Sequence, residues 1–146
     1  MSFNYPEKLE YTYYLYDFKN NCYHFRNKYV FMPDGKIFFS YYKKNSIIPD
    51  HTDTFSVRPS EIIFLYFRIN FLLRHANTNI SLHNSSGSRI KLSYRLKNHE
   101  FAYHGLAFGI FGNKTPVSKI ITTDLVMLKF IRKHCKKSLE YRSNEL

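Results

Sequence analysis

The sequence predicts an α+β fold, an antiparallel meander sheet of about six or seven strands covered by one apolar helix and one basic amphipathic helix at the C-terminus. Three observations carry this reading. Runs of aromatic and β-branched residues are punctuated by turn residues. Pro33-Asp34-Gly35 is a strong hairpin signal, because proline presets φ and glycine supplies φ > 0. Near the C-terminus the apolar residues recur with a helical period. A length of 146 residues suits a single domain, 1–146, with a core of its own.

The first segment, 1–42, is an aromatic-rich antiparallel meander. It holds 15 of the 27 Tyr and Phe residues, and each ring brings a large area to a core. Tyr11–Phe18 reads as a strand and Lys19-Asn20-Asn21 as a turn. Cys22–Phe25 and Lys28–Met32 read as two short strands, and Lys36–Tyr42 returns after the Pro33 turn. Residues 43–58, with Lys43, Lys44, Asn45, Ser46, Pro49 and Asp50, read as a connecting loop.

Residues 59–75 support two periods. Pro59 and Glu61 suit a helix start, with proline at an early position and an acid in the first turn. Ile63, Leu65, Phe67, Ile69, Phe71 and Leu73 alternate as a strand would. Length and start favour a largely buried helix. In 79–111, Asn79–His83 and Arg89–Lys97 flank Asn84-Ser85-Ser86-Gly87-Ser88 and read as a hairpin. The second arm places Ile90, Leu92, Tyr94 and Leu96 on one face and its cations on the other. Phe101–Phe111 reads as a glycine-rich strand, and Gly112 to Pro116 as a loop. The last helix, 123–139, is capped by Thr122, Thr123 or Asp124. Met127, Leu128, Phe130, Ile131, His134 and Cys135 form its apolar stripe, and residues 140–146 are expected to fray.

Charge is the main functional signal. The chain carries +11, of which residues 60–146 hold +9. From Ile62 to Thr123 there are eight Lys or Arg and one acid, Glu100. Such a field selects polyanions or acidic protein surfaces. The candidate binding residues are Arg89, Lys91, Arg95 and Lys97 on the hairpin, with Lys129, Arg132, Lys133, Lys136 and Lys137 on the last helix. Bases spaced along a strand or a helix can follow a phosphate backbone and release its counterions.

Other motifs carry less. Pro116–Ile120, Ile121–Thr123 and the helix from Asp124 have the order of a helix-turn-helix, without its turn glycine. Gly105, Ala107, Phe108 and Phe111 give His104–Phe111 a partial resemblance to the first ribonucleoprotein strand of RNA-recognition motifs, which implies bases stacked on a sheet. Leu106 and Gly109 depart from that pattern, and there is no room for the helix the fold requires before Asn79. His99 and His104 stand at i and i+5 in a strand-like segment, which is not zinc-protease spacing. Asp50, His51 and Asp53 cluster titratable groups and are the only catalytic candidates, as ligands or base of a small metal-dependent nuclease. Cys22 and Cys135 lack metal or redox spacing and read as free thiols, with one bridge as the alternative.

The functional reading is a non-enzymatic, cytoplasmic regulatory protein that binds nucleic acid, DNA or RNA, with no cofactor and no metal. The alternative is a blocking module, of toxin-immunity or phage-inhibitor type, that docks on an acidic protein. The start lacks an apolar run, and Ile62–Leu73 is too short to span a bilayer, so no membrane association is expected.

Overall fold

In the computed structural model, residues 7–17, 20, 22–74, 79–81, 89–96, 99–106 and 115–143 are described. They form seven strands, β1 Leu9–Asp17, β2 Cys22–Phe31, β3 Lys36–Lys43, β4 His51–Ser56, β5 Asn79–Ser81, β6 Arg89–Leu96 and β7 His99–Leu106. The helices are α1 Pro59–Leu73, α2 Thr115–His134 and the short α3 Glu140–Ser143, with a 3₁₀ turn at Lys136–Leu139 between the last two. All strands lie in one sheet of order β4-β3-β2-β1-β6-β7-β5. The first six are antiparallel to their neighbours, and β5 joins the edge parallel to β7. The fold is α+β, as the sequence predicts.

Strict alternation gives the sheet two different faces. Leu9, Tyr11, Tyr13 and Leu15 of β1 are buried, as are Phe25, Tyr29 and Phe31 of β2 and Ile37, Phe39 and Tyr41 of β3. Leu92, Tyr94 and Leu96 continue that face on β6. The helical layer closes it with Ile62, Leu65, Tyr66, Ile69 and Leu73 from α1 and Met127 and Ile131 from α2. Among the described residues no helix covers the other face, which carries Glu10, Thr12, Tyr14, Arg26, Lys28 and Arg95. Met32 to Gly35 closes the β2–β3 hairpin: the Gly35 N–H donates to the Met32 carbonyl at 3.0 Å, and Gly35 has φ +98°.

Several elements differ from the sequence reading. Cys22–Phe25 and Lys28–Met32 are one strand, because Arg26 and Asn27 stay in the ladder opposite Tyr14 and Tyr13. The expected loop 43–58 contains β4, whose residues from His51 to Ser56 pair with β3. Residues 59–73 are helical. Residues 79–81 do not form a hairpin with β6, whose two edges are already taken by β1 and β7. The Asn84–Ser88 turn lies outside the described residues, as do Lys19, Asn21, Gly112 to Lys114 and residues 144–146.

α2 begins at Thr115, eight residues before the expected 123. The proposed helix-turn-helix therefore has no turn, since Ile121 to Thr123 lie inside a continuous helix. Residues 140–143, expected to fray, are instead held as α3: the Tyr141 ring stacks on His51 at 4.5 Å and meets Tyr41 tilted at 5.0 Å. Of the strand expected at Phe101–Phe111, Phe101 to Leu106 lie in β7 and the rest falls outside the described residues. Only His104 to Leu106 of the segment resembling an RNA-recognition strand are described. β1 and β2 are hairpin neighbours with no helix between them, so the topology of that family is not followed.

Candidate binding surfaces

The two basic elements lie on opposite sides of the sheet. Tyr94 of β6 points into the helical layer, where its hydroxyl donates to Asp124 Oδ1 at 3.2 Å. Arg95, the next residue, therefore stands on the open face, while the basic residues of α2 stand beyond the helical layer. Arg89 and Lys91 hold register positions opposite Tyr16 and Tyr14, and their side chains are outside the description. Lys97 lies outside the described residues altogether.

The open face opposes part of its own charge. Glu10 lies 3.6 Å from Lys28 and 4.0 Å from both Lys8 and Arg95. The Arg26 guanidinium sits 4.0 Å over the Tyr42 ring and donates to the Ser46 carbonyl at 3.4 Å. Ser93 Oγ donates to Glu100 at 3.1 Å. Glu10 and Glu100 oppose only part of the field of Arg26, Lys28 and Arg95, and the partners of Arg26 are a ring and a carbonyl, not a carboxylate.

The helical layer is different. Lys129, Arg132, Lys133, Lys136 and Lys137 are exposed, as is Arg68 of α1. Among the described residues none of the six has an acidic partner. α1 and α2 pack side by side, and the first turn of α1 meets the last turn of α2, where His134 Nε2 lies 3.7 Å from Glu61. Between them runs a groove of about 260 Å³, lined by Phe64, Leu65, Val126 and Phe130 together with Glu61, Arg68, Lys129 and Lys133.

Sequence reasoning missed the exposed apolar residues of the helical layer, of which Phe64 lines that groove. Phe64, Phe67 and Phe71 are 69, 47 and 66% exposed, and Leu125 is 62% exposed. At about 200 Å² per ring, the three phenylalanines alone leave roughly 350 Å² of apolar surface in water. That is the size of the largest apolar patch on an ordinary monomer, which often serves in binding. The signal was present in the sequence: α1 has almost no polar face, so a helix packed on a sheet has to expose rings.

A second set of polar residues is sealed inside. Tyr11 donates to Asp124 Oδ1 at 2.8 Å, so two phenols share one carboxylate oxygen. The Arg142 guanidinium lies 3.6 Å over the Tyr13 ring. Burial pushes the Asp124 carboxyl above its ordinary value, and Arg142 and the two phenols only partly oppose the shift. Ser138 Oγ donates to the Cys135 carbonyl at 2.7 Å, so its one proton is used and the Tyr29 hydroxyl, 2.6 Å away, donates to it. Asn27 is fully buried with neither amide atom partnered. Tyr11 and Tyr94 have no exposure at all and Asp124 has 3%, so no substrate reaches this cluster. It fastens α2 and the terminal turns to the sheet. Asp124 is thus a buried anchor inside α2 and not the helix cap expected from the sequence.

The catalytic candidates are also held structurally. The Asp50 carboxylate accepts the Lys43 N–H at 2.7 Å, which holds its pKa below the ordinary value. Asp53 Oδ1 accepts its neighbour's N–H at 3.0 Å, and His51 is stacked under Tyr141 with Nε2 4.0 Å from Asp53. Among the described residues no three His, Cys, Asp or Glu side chains converge as a metal site requires. No helix among them is long and apolar enough to cross a membrane. No protein-family model matches the sequence, and no curated protein matches it.

Proposed function

We propose that the protein is a non-enzymatic docking module whose helical layer binds an acidic surface of a partner protein, as a blocking or immunity-type module does. One observation carries this reading: exposed cations with no acidic partner among the described residues line the α1–α2 groove together with Phe64, and Phe67 and Phe71 stand exposed on the same helix. An apolar centre inside a charged rim is the anatomy of a protein interface. The positive rim speeds encounter with an acidic partner and rejects basic ones. Two free thiols, Cys22 and Cys135, support a reducing, cytoplasmic setting.

The test is reversal of the rim. Lys129→Glu with Lys133→Glu should leave the melting temperature near that of the wild type, because both side chains are exposed. The change should abolish stoichiometric co-purification with an acidic partner. Retained association at unchanged stoichiometry removes the reading.

A second reading is favoured by the five cations from Lys129 to Lys137, which have no acidic partner among the described residues and suit a phosphate backbone. It places nucleic acid on the helical layer alone, since Arg95 faces the opposite way. Nucleic acid released from the purified protein by high salt, with absorbance at 260 nm falling in step, would select it over protein docking.

A further inference from the structure

Resting on the acidic-partner reading, we infer that the element received by the helical layer is an acidic amphipathic helix, laid along the groove between α1 and α2. Four features point to that occupant. Phe64, Phe67 and Phe71 are spaced i, i+3 and i+7, so they form one ridge about 10 Å long on α1. A ridge of that length presents two turns of contact, which is the footprint of a helix carrying its own i, i+3/i+4, i+7 anchors.

The groove is also indented. Its volume of about 260 Å³ lies below the range of ordinary small-molecule pockets, at roughly 300 Å³ and above, and suits inserted side chains. A flat lipid surface does not enter such a space. Its walls are two helices, whose interior backbone groups are already hydrogen-bonded to themselves. They present no strand edge for an extended peptide to pair with. A partner that buries its backbone here must satisfy it internally, and a helix does so.

The charge sets the sign of the partner. Arg68, Lys129 and Lys133 line the groove without acidic partners among the described residues, and the acid that also lines it, Glu61, already lies 3.6 Å from Arg58 and 3.7 Å from His134. Asp and Glu flanking the apolar anchors of the incoming helix would meet the unpaired cations. A second copy of this chain is disfavoured by its own charge of +11.

The experiment selects a phage-displayed library of randomised helical peptides against the full chain at physiological salt. The enriched peptides are then measured by fluorescence anisotropy on wild type, Phe64→Ala/Phe71→Ala and Lys129→Glu/Lys133→Glu. All four replaced side chains are exposed, and thermal melts confirm that the variants are folded. The expected result is enrichment of peptides with an apolar i, i+3/i+4, i+7 stripe among acids, weakened at least tenfold by each double change. Acidic peptides without the stripe, unaffected by Phe64→Ala/Phe71→Ala but lost with Lys129→Glu/Lys133→Glu, would overturn the helix inference and leave acidic docking standing. Peptides indifferent to Lys129→Glu/Lys133→Glu, or no enrichment, would overturn both. In the same assay, tighter binding of a twenty-residue oligo(dT) or of phosphatidylserine vesicles than of any selected peptide would also overturn the inference, in favour of nucleic acid or lipid.

Discussion

Replacing Asp124 by alanine removes the carboxylate oxygen that Tyr11 and Tyr94 both donate to. Both phenols are fully buried, so neither hydroxyl gains water in exchange. A buried donor left without an acceptor costs about 1–3 kcal/mol. Two of them, with Arg142 deprived of a nearby counter-charge, bring the expected loss to about 3–5 kcal/mol, a large part of the ~5–15 kcal/mol that holds a domain together. Asp124→Asn keeps the shared acceptor and should cost about 1 kcal/mol. Urea unfolding followed by circular dichroism measures both. The two variants also separate the pH term. Burial raises the folded-state pKa of Asp124, so its contribution to stability is fully present below the unfolded value of 3.8 and is lost as pH rises through the folded value. Wild-type stability relative to Asp124→Asn should therefore fall as pH climbs from about 4, then level off. A loss under about 0.5 kcal/mol for Asp124→Ala, or a flat pH difference, would refute the assignment of Asp124 as a buried shared acceptor.

Three further predictions concern single residues. Asn27→Leu replaces an unpartnered buried amide by an apolar chain of similar size and should raise stability by about 1–3 kcal/mol, read as a higher urea midpoint; a lower midpoint would mean the amide has a partner. Gly35→Ala should cost about 2 kcal/mol or more in the same assay, because φ is +98° and a Cβ would overlap the Val57 carbonyl oxygen; an unchanged midpoint would contradict the tight turn. Cys135 is buried, and burial pushes its thiol up to about 12, so a disulfide reagent at pH 8 should titrate only the partly exposed Cys22 until urea is added; two fast equivalents in the native protein would refute this.

The strands of the first third were legible because a two-residue period and the Pro33-Asp34-Gly35 turn are local signals. Partner choice was not local. Nothing within Asn79–Ser81 shows that β6 has both edges occupied, so a turn-rich stretch reads as a hairpin that the sheet has no room for. β4 was hidden by the polar Asp50-His51-Thr52-Asp53 entry, although Thr52, Thr54 and Phe55 suit a strand. Thr122-Thr123-Asp124 imitates a helix start, because small polar residues beside an apolar run look the same as a cap or as a buried anchor. What distinguishes them is the pair of phenols on β1 and β6, far away in the chain. The ambiguity of 59–75 has a different cause. Ile62, Leu65, Tyr66, Ile69 and Leu73 keep a helical period, while Phe64, Phe67 and Phe71 fill the opposite side and imitate a strand. The residues that blurred the period are those now placed at the proposed docking ridge, in keeping with the tendency of functional sites to break local rules.

β1 is the first of the seven described strands in chain order and the fourth across the sheet. It gains β2 at once, but its other edge waits for β6, with Leu9 pairing to Leu96. During synthesis a tyrosine-rich strand edge and the greasy α1 are both complete while their cover is still missing. Closure over so long a stretch of chain is slow, and an unpaired edge is a template for other chains in the meantime. Fragments ending before residue 89 keep that edge open permanently. The fold hides this adhesive edge at the centre of the sheet, and does so only once β6 is available to pair with β1.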